Sequence, residues 1–306
     1  MSMRVPNLMN NAQSLLDLQR IKQQYAETVE QLSTGQANPN IGDNPTATAQ
    51  VEGYQASINV NTEYINQANT ANSQMQATST ALNTMVTNIQ QLMQLGQEGL
   101  AGNATAASQA GIATQVSALR TDLIATGNTQ VQGQYIFAGT MTTTVPFVDD
   151  ETTTPATVTY NGNSGTTSLQ VSQSTSVTTN LPGDALFFGP AGQGQATDIL
   201  AQAAAMAQAL STNNTAALQT AYNNIQTISS RINVAVADMG ERENGVTALQ
   251  NGLTAYNQNL TTQQSSIASV NYALAITQLN QEGVAQQATL STIAQTNSKN
   301  LFSYLA

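Results

Sequence analysis

The side chains that most often do chemistry are nearly missing from this sequence. It contains no histidine and no cysteine, which removes the usual ligands of zinc, copper and haem and the Ser-His and Cys-His nucleophile arrangements. Carboxylates and hydroxyls remain. The densest acidic run, Asp149-Asp150-Glu151, offers the oxygens that a calcium ion takes, but it lacks the alternate-residue spacing and glycine turn of a dedicated calcium loop and reads as a solvated turn. Paired carboxylates can hydrolyse a glycosidic bond, yet no pair is singled out here. The glycine-rich GPAGQGQ, Gly189 to Gln195, has no lysine after it and no βαβ unit before it, so it reads as a return into a helix beginning near Asp198 instead of a phosphate loop. Asn103-Ala104-Thr105, Asn213-Asn214-Thr215 and Asn259-Leu260-Thr261 match the glycosylation acceptor pattern, as chance allows in a chain rich in Asn and Thr. Met75, Met85 and Met93 fall at helical spacing and read as core filler. The sequence thus points to no catalytic residue, no metal ligand and no cofactor, and an enzyme is the weakest class.

Charge and composition narrow the partners. Over 306 residues, 7 Lys and Arg face 17 Asp and Glu, a net charge of -10. That is the wrong sign for nucleic acid or an anionic membrane surface. Charged residues make up only 8 %, against about 25 % in an average domain, so neutral amides and hydroxyls must cover the surface. No stretch approaches ~18 consecutive apolar residues, and the N-terminus lacks the apolar run of a secretory signal. The expectation is a soluble chain of two or three packed units that leaves the cytoplasm, if at all, by a leaderless route.

The elements that would position these residues are long helices. A seam with alternating steps of three and four runs through Val51, Tyr54, Ile58, Asn61, Ile65, Ala68, Asn72, Met75, Ser79, Leu82, Val86, Ile89 and Met93. Steps averaging 3.5 keep one stripe facing a partner helix. Asn44-Pro45 supplies an N-cap and a first-turn proline. A second seam runs through Val246, Leu249, Leu253, Tyr256, Leu260, Gln263, Ile267, Val270 and Leu274, preceded by Leu218, Tyr222, Ile225, Ile232, Val236 and Met239. The two lie antiparallel in one bundle, joined by a shorter helix bearing Ile112, Val116, Leu119 and Leu123 after the glycine-broken connection Gly96 to Asn103. Both chain ends carry seams of their own, Leu8, Asn11, Leu15, Leu18, Lys22, Tyr25, Val29 and Leu32 up to a capping Gly35, and Ile276, Leu279, Leu290, Ile293 and Leu301. Each needs a partner, and the other terminal helix is the natural one; any stripe left over must be covered by a neighbouring molecule.

Between the helical halves the composition changes. Tyr135, Ile136 and Phe137 arrive together, followed by Gly139, Pro146 and Phe147, and then by short Val, Thr and Tyr runs with Asn161-Gly162 and Pro182-Gly183 steps. These read as strands and turns. The fold class is therefore mainly α, a long antiparallel coiled-coil bundle formed by both chain ends, with a small β-rich domain inserted in the middle. Tyr135 to Phe137 mark the point where the helix ends and the insert is anchored, with packing as their ordinary role.

Several stretches together resemble one family. MRVPN near the start, LSTGQANPNIGDNPTATAQ (Leu32 to Gln50), GQYIFAGTMTTTVPF (Gly133 to Phe147) and the ending NLFSYLA look like the hook-associated protein 3 family of the flagellin superfamily, with the β insert least matched. Where that family places a basic residue after Ser-Thr-Gly, this chain has Gln36 and Ala37. The resemblance begins at Met3-Arg4, which marks Met1-Ser2 as an alternative start or an addition.

The resemblance implies a structural protein of the bacterial flagellum, exported without a cleaved signal through the flagellar type III channel after release by an export chaperone. It would form a ring of its own copies at the hook-filament junction, between hook-associated protein 1 and flagellin. On this reading residues 1-42 and 270-306 form a terminal coiled-coil domain, 43-134 and 196-269 a helical bundle domain, and 135-195 the insert. The assembly interface would comprise Leu8, Leu15, Leu18, Tyr25, Val29, Leu32, Ile267, Val270, Leu274, Ile276, Leu279, Leu290, Ile293, Leu301 and Phe302. The interdomain junction would comprise Tyr135, Ile136, Phe137, Gly139, Pro146 and Phe147. Two alternatives stay open: a flagellin forming the filament itself, and a signalling coiled coil of chemoreceptor type, which would need a membrane span or a kinase-binding hairpin tip where the β-rich insert stands.

Overall fold

The computed structural model describes the backbone of residues 4–305 apart from residues 41, 103, 104 and 151, and the side chains of residues 9 and 12–295 apart from the same four. Six α-helices account for most of these: α1 Arg4–Thr34, α2 Pro45–Leu100, α3 Ala106–Gly127, α4 Ile199–Ser211, α5 Thr215–Ala268 and α6 Tyr272–Leu305. Between α3 and α4 lie three antiparallel two-stranded hairpins, β1 Gln130–Val131 with β2 Gln134–Tyr135, β3 Phe147–Asp150 with β4 Thr157–Tyr160, and β5 Ser168–Gln170 with β6 Ser176–Thr178. A π-helical turn at Asp184–Phe188 closes the insert. The expected class, mainly helical with a small strand-containing centre, is what the chain adopts. No helix among the described residues is long and apolar enough to cross a membrane.

Local chemistry sets the helix ends. Asn44 Oδ1 accepts from the Ala47 N–H at 3.1 Å, capping α2 one residue before Pro45, as the sequence indicates. Gly35 ends α1 with φ +72° and donates its N–H to Gln31 O at 2.8 Å. Thr105 caps α3 and Asp198 caps α4. Asn213, at φ +54°, and Asn214, whose Oδ1 accepts from Ala217 N at 3.1 Å, turn the chain from α4 into α5. That is ordinary work for paired asparagines, since they tolerate left-handed backbone and cap well.

Two compact units divide the chain, Met1–Val60 with Tyr256–Ala306, and Asn61–Ala255. The second holds the core, a continuous apolar cluster running from Ala68 to Val246 that takes in α2, α3, α4, α5 and the inserted aromatics. Within it, Asn72 Nδ2 donates to Thr247 Oγ1 (3.2 Å), Gln250 Nε2 to Asn69 Oδ1 (2.7 Å) and Gln97 Nε2 to Tyr222 Oη (2.8 Å), which fixes α2 and α5 as antiparallel neighbours.

The buried stripe of α2 is turned by one residue from the expected seam. Ala68, Met75, Leu82 and Ile89 are buried as expected, but the alternate positions are Ala71, Thr78, Met85 and Leu92, while Asn72, Ser79, Val86 and Met93 are only half-buried. The helix also runs through Gly96 and Gly99 to Leu100. Both glycines sit where neighbours press close: a Cβ at Gly96 would fall 2.8 Å from the Tyr222 ring and 3.0 Å from Met206, and one at Gly99 2.4 Å from Leu210. Small residues here are contact points, and the glycine-broken connection of the sequence reading shrinks to the residues after Leu100. On α5, Ala221, Ile225, Ile228 and Ile232 are buried, whereas Tyr256 is exposed. The seam expected to continue to Leu274 is interrupted after Ala268, because Asn271 starts a new helix, its Oδ1 accepting from Leu274 N at 3.2 Å.

Candidate functional site

In the first unit the two chain ends pair. After Gly35, Ala37 N donates to Ala268 O (2.8 Å) and Val270 N to Gly35 O (3.0 Å), a short antiparallel bridge between the α1–α2 and α5–α6 connections. The Tyr272 hydroxyl lies against Gly35, and Gly283 faces the Tyr25 ring, so α1 and α6 run antiparallel side by side. Leu18, Thr28 and Ala275 are buried in this pair. Leu32, Ile267, Val270, Leu279 and Ile293 are half-buried. Leu15, Tyr25, Val29, Leu274, Ile276 and Leu290 are exposed, Leu15 at 50 % and Leu274 at 62 %. The side chains of Leu8, Leu301 and Phe302 lie outside the described residues.

Two helices can hide only the stripe between them, and these carry more apolar surface than that. Met9, Leu16, Tyr272 and Val284 are exposed as well. The heptad reading passes over them because each lies off the chosen seam; the readable signal was the doubling Leu15-Leu16, which widens the apolar stripe to two faces.

The Tyr135–Phe147 stretch lies wholly in the second unit. α3 ends at Gly127, eight residues before Tyr135, and only a glycine fits there, since a Cβ would fall 2.6 Å from Phe147 and 2.9 Å from Phe187. Asn128 then clasps the start of β3: its Nδ2 donates to Phe147 O (2.8 Å) and its Oδ1 accepts from Phe147 N (2.9 Å). Phe147 packs against Phe187, Tyr160 and Phe188 with ring centroids 4.4, 5.1 and 6.0 Å away, and Phe137 meets Phe187 edge-on at 5.9 Å. Phe137, Gly139, Pro146 and Phe147 are buried, and Tyr135 and Ile136 are half-buried. Gly139 adopts φ +68°, with the Asn163 carbonyl oxygen 2.1 Å from where a Cβ would stand. Phe187 and Phe188 are further anchors, and the sequence signal for them is two adjacent aromatics directly before Gly189-Pro190.

Two arginines of this unit tie the insert to the helices. Arg120, 5 % exposed, grips Asp149 with two hydrogen bonds of 2.9 and 2.6 Å. The acidic run is therefore not a solvated turn: Asp149 is ion-paired, and Asp150 ends β3, where bonds from the Thr152 hydroxyl and N–H hold its carboxyl below the usual value. Glu151 lies outside the described residues. Arg231 donates to the carbonyls of Leu186 (3.0 Å) and Thr197 (2.8 Å), which pins the return loop; burial lowers its pKa against the nearby Asp198 charge. Burial raises the Asp198 carboxyl in turn, against three backbone N–H donors and the Arg120 charge. Tyr160 is pushed up to about 12, chiefly by burial and then by Asp184, while its hydroxyl donates to Phe137 O at 2.9 Å. Asp150, Arg231, Asp198 and Tyr160 fasten backbone, and Arg120 and Asp149 fasten each other. Among the described residues no group of three or more acidic side chains is placed to hold a metal.

Comparison with known proteins agrees with the motifs. Residues 5–142 match the family described as bacterial flagellin N-terminal helical region. The chain is 23 % identical to the flagellar hook-associated protein 3 of Escherichia coli (strain K12) over 98 % of its own length and 99 % of the relative's. Its fold is similar to that of a flagellar hook-associated protein from Vibrio parahaemolyticus (TM-score 0.68, 16 % identity), which 74 % of this chain covers in full. It is also similar to hook-associated protein 3 from Legionella pneumophila (TM-score 0.62, 15 % identity, 71 % of this chain and 98 % of that one) and to FlgL of Xanthomonas campestris (TM-score 0.59, 18 % identity, 70 % and 99 %). The resemblance read from the N-terminal, Tyr135–Phe147 and C-terminal motifs is borne out by these matches.

Proposed function

We propose that this chain, of flagellin-family type, is a structural subunit of the bacterial flagellum that joins the hook-associated protein 1 zone to the flagellin filament. The observation that carries the reading is the contrast within one chain: a middle unit with its own closed core, and paired terminal helices whose apolar residues outnumber the positions that their pairing can hide. Such helices gain most of their burial, and so repay the entropy of their ordering, when neighbouring copies cover them. The assembly residues are those on α1 and α6 named above, acting together with flanking Leu16 and Val284. Ring formation, capture by an export chaperone before secretion, and stacking between hook-associated protein 1 and flagellin follow from the same reading, as does a division of labour among terminal helices, helical middle and β insert.

Leu15→Asp and Leu274→Asp test it. Both positions are half or more exposed in the lone subunit, so the carboxylate stays hydrated there and the fold is expected to survive. In an assembled interface the same charge is stranded without a partner, which costs several kcal/mol. The expected result is a secreted, folded protein that fails to attach filaments; normal swimming of both mutants overturns the role. An antibody label on purified flagella should mark the boundary between hook and filament only. The match to the flagellin N-terminal region favours one second reading, a flagellin. Growth of long filaments from the pure protein on seed fragments, with label along their length, would establish it instead.

A further inference from the structure

Beside the Tyr135 motif, α2, the β1–β2 hairpin and the loop after it enclose a cleft of about 270 Å³, entirely within the second unit. No charged residue lines it. Its wall is a fixed frame: the Asn180 amide donates to Gly139 O (3.2 Å) and Gly165 O (3.0 Å) and accepts from Thr167 N (2.7 Å). Set in that frame are the side chains of Gln74, Gln134, Tyr135, Thr142 and Thr167, whose amides and hydroxyls make no hydrogen bond within the described chain. Half-buried Tyr135 and Ile136 add apolar faces.

These features select a ligand class. A phosphate, carboxylate or cation would lose hydration with no opposite charge to replace it. A purely apolar molecule would strand the unpaired amides and hydroxyls. A peptide docking as an added strand needs a free strand edge, and the outer edge of β2 is already used, with Tyr135 N donating to Thr142 O at 2.8 Å. A neutral polyol satisfies both sets of groups, since its hydroxyls pair with amides that can donate and accept while its C–H faces lie on an aromatic ring. The volume is just below the ~300 Å³ at which sites for drug-sized ligands begin. We propose that this cleft is a binding site for a single neutral sugar ring, a binding activity separate from, and independent of, the assembly role of the terminal helices.

Saturation-transfer NMR on the full chain with glucose, galactose, N-acetylglucosamine and glucuronate tests this. At least one neutral sugar is expected to bind with a dissociation constant of about 1 mM, ordinary for one ring held by a few hydrogen bonds, and glucuronate more weakly. Gln134→Leu, at an exposed position, should weaken binding about 5-fold, and Tyr135→Ala should remove it, whereas Tyr135→Phe should retain the ring contacts and only part of the affinity. Thermal melts check that the variants remain folded, and Gln134→Leu keeps the test decisive if Tyr135→Ala does not fold. Absence of transfer from every neutral sugar, equal transfer from glucuronate, or binding unchanged in the folded variants would overturn the proposal.

Discussion

The two units are built from the same kinds of residue and mostly the same kind of helix, yet one closes on itself and the other does not. In the middle unit each long helix has neighbours on more than one side, and the described apolar cluster is continuous. In the terminal unit α1 and α6 have chiefly each other; the described buried apolar side chains dwindle to Leu18, Ala47, Leu260 and Ala275, while Leu15, Leu16, Leu274 and Val284 face water. Helicity is thus not what distinguishes a finished domain from a part of an assembly. What distinguishes them is whether the apolar stripe is wider than the partners present can cover.

The largest expected difference comes from deleting a side chain in each unit. Phe147→Ala removes a ring that touches three other aromatics and should cost about 3–5 kcal/mol of monomer stability. Leu15→Ala, half exposed, should change it by less than about 0.5 kcal/mol. Equal losses in chemical denaturation would show that the terminal pair has a closed core after all.

Ion pairs sharpen the contrast next. Arg120→Ala leaves the Asp149 carboxylate, only 20 % exposed, without its two charge-assisted bonds, and a loss of about 3 kcal/mol is expected. Its counterpart on α1, Arg20 with Asp17 at 3.3 Å, is well exposed on the arginine side, and Arg20→Ala should cost about 0–1 kcal/mol. Thermal melts at two salt concentrations separate them, since only the exposed pair is strongly screened. Glycine substitution gives a smaller effect of the same sign. Gly139→Ala forces a left-handed alanine against a backbone carbonyl, so about 2–3 kcal/mol is expected. At Gly35 the obstacle is the hydroxyl at the far end of the exposed Tyr272, which can swing away and leave only the cost of the left-handed conformation, about 1–2 kcal/mol.

Sequence reasoning located these features unevenly, for physical reasons. The Asn44-Pro45 start of α2, the Gly35 stop of α1 and the α3 face at Ile112, Val116, Leu119 and Leu123 were all legible, because capping and periodicity are local. The exact stripe on α2 was not. Choosing apolar residues favours Val86 and Met93 over Ala71, Thr78, Gly96 and Gly99, whereas a helix pressed by several neighbours buries its small residues first. Nor could a sequence show that a lone Arg120 would reach Asp149 across 29 positions, or that Arg231 would hold three carbonyls. The interruption at Ser269–Asn271 was masked by Val270 and Leu274 falling in register with the helix before it. The Tyr135–Phe147 motif was visible as a break in pattern, but its anchoring partners Phe187 and Phe188 lie 40 to 50 positions away, where periodicity carries no information.

The smallest effect concerns how each unit caps a helix. In the middle unit the cap of α4 is Asp198, 3 % exposed, and burial raises its pKa above the ordinary 3.8. Between 3.8 and that higher folded value the native state binds more protons than the unfolded chain. The contribution of Asp198 to stability is therefore fully present below about 3.8 and declines as pH rises through the folded value. Asp198→Asn keeps an acceptor for the N–H groups of Leu200 and Ala201 but not the bond from Gly194. At pH 7 it should lie within about 1 kcal/mol of the parent, with the parent gaining on it as the solution is acidified. In the terminal unit α6 is capped by the exposed Asn271, and Asn271→Asp places a hydrated carboxylate at a helix N-terminus, where the dipole favours the charge by about 0.5 kcal/mol. That gain belongs to the ionised form, so it is present at neutral pH and lost on acidification. Taken as the carboxylate-bearing protein minus its amide-bearing counterpart, the denaturant midpoint should consequently rise from pH 7 to pH 3.5 for the Asp198→Asn pair and fall for the Asn271→Asp pair, and a rise in both would mean that the cap of α6 is as dry as that of α4.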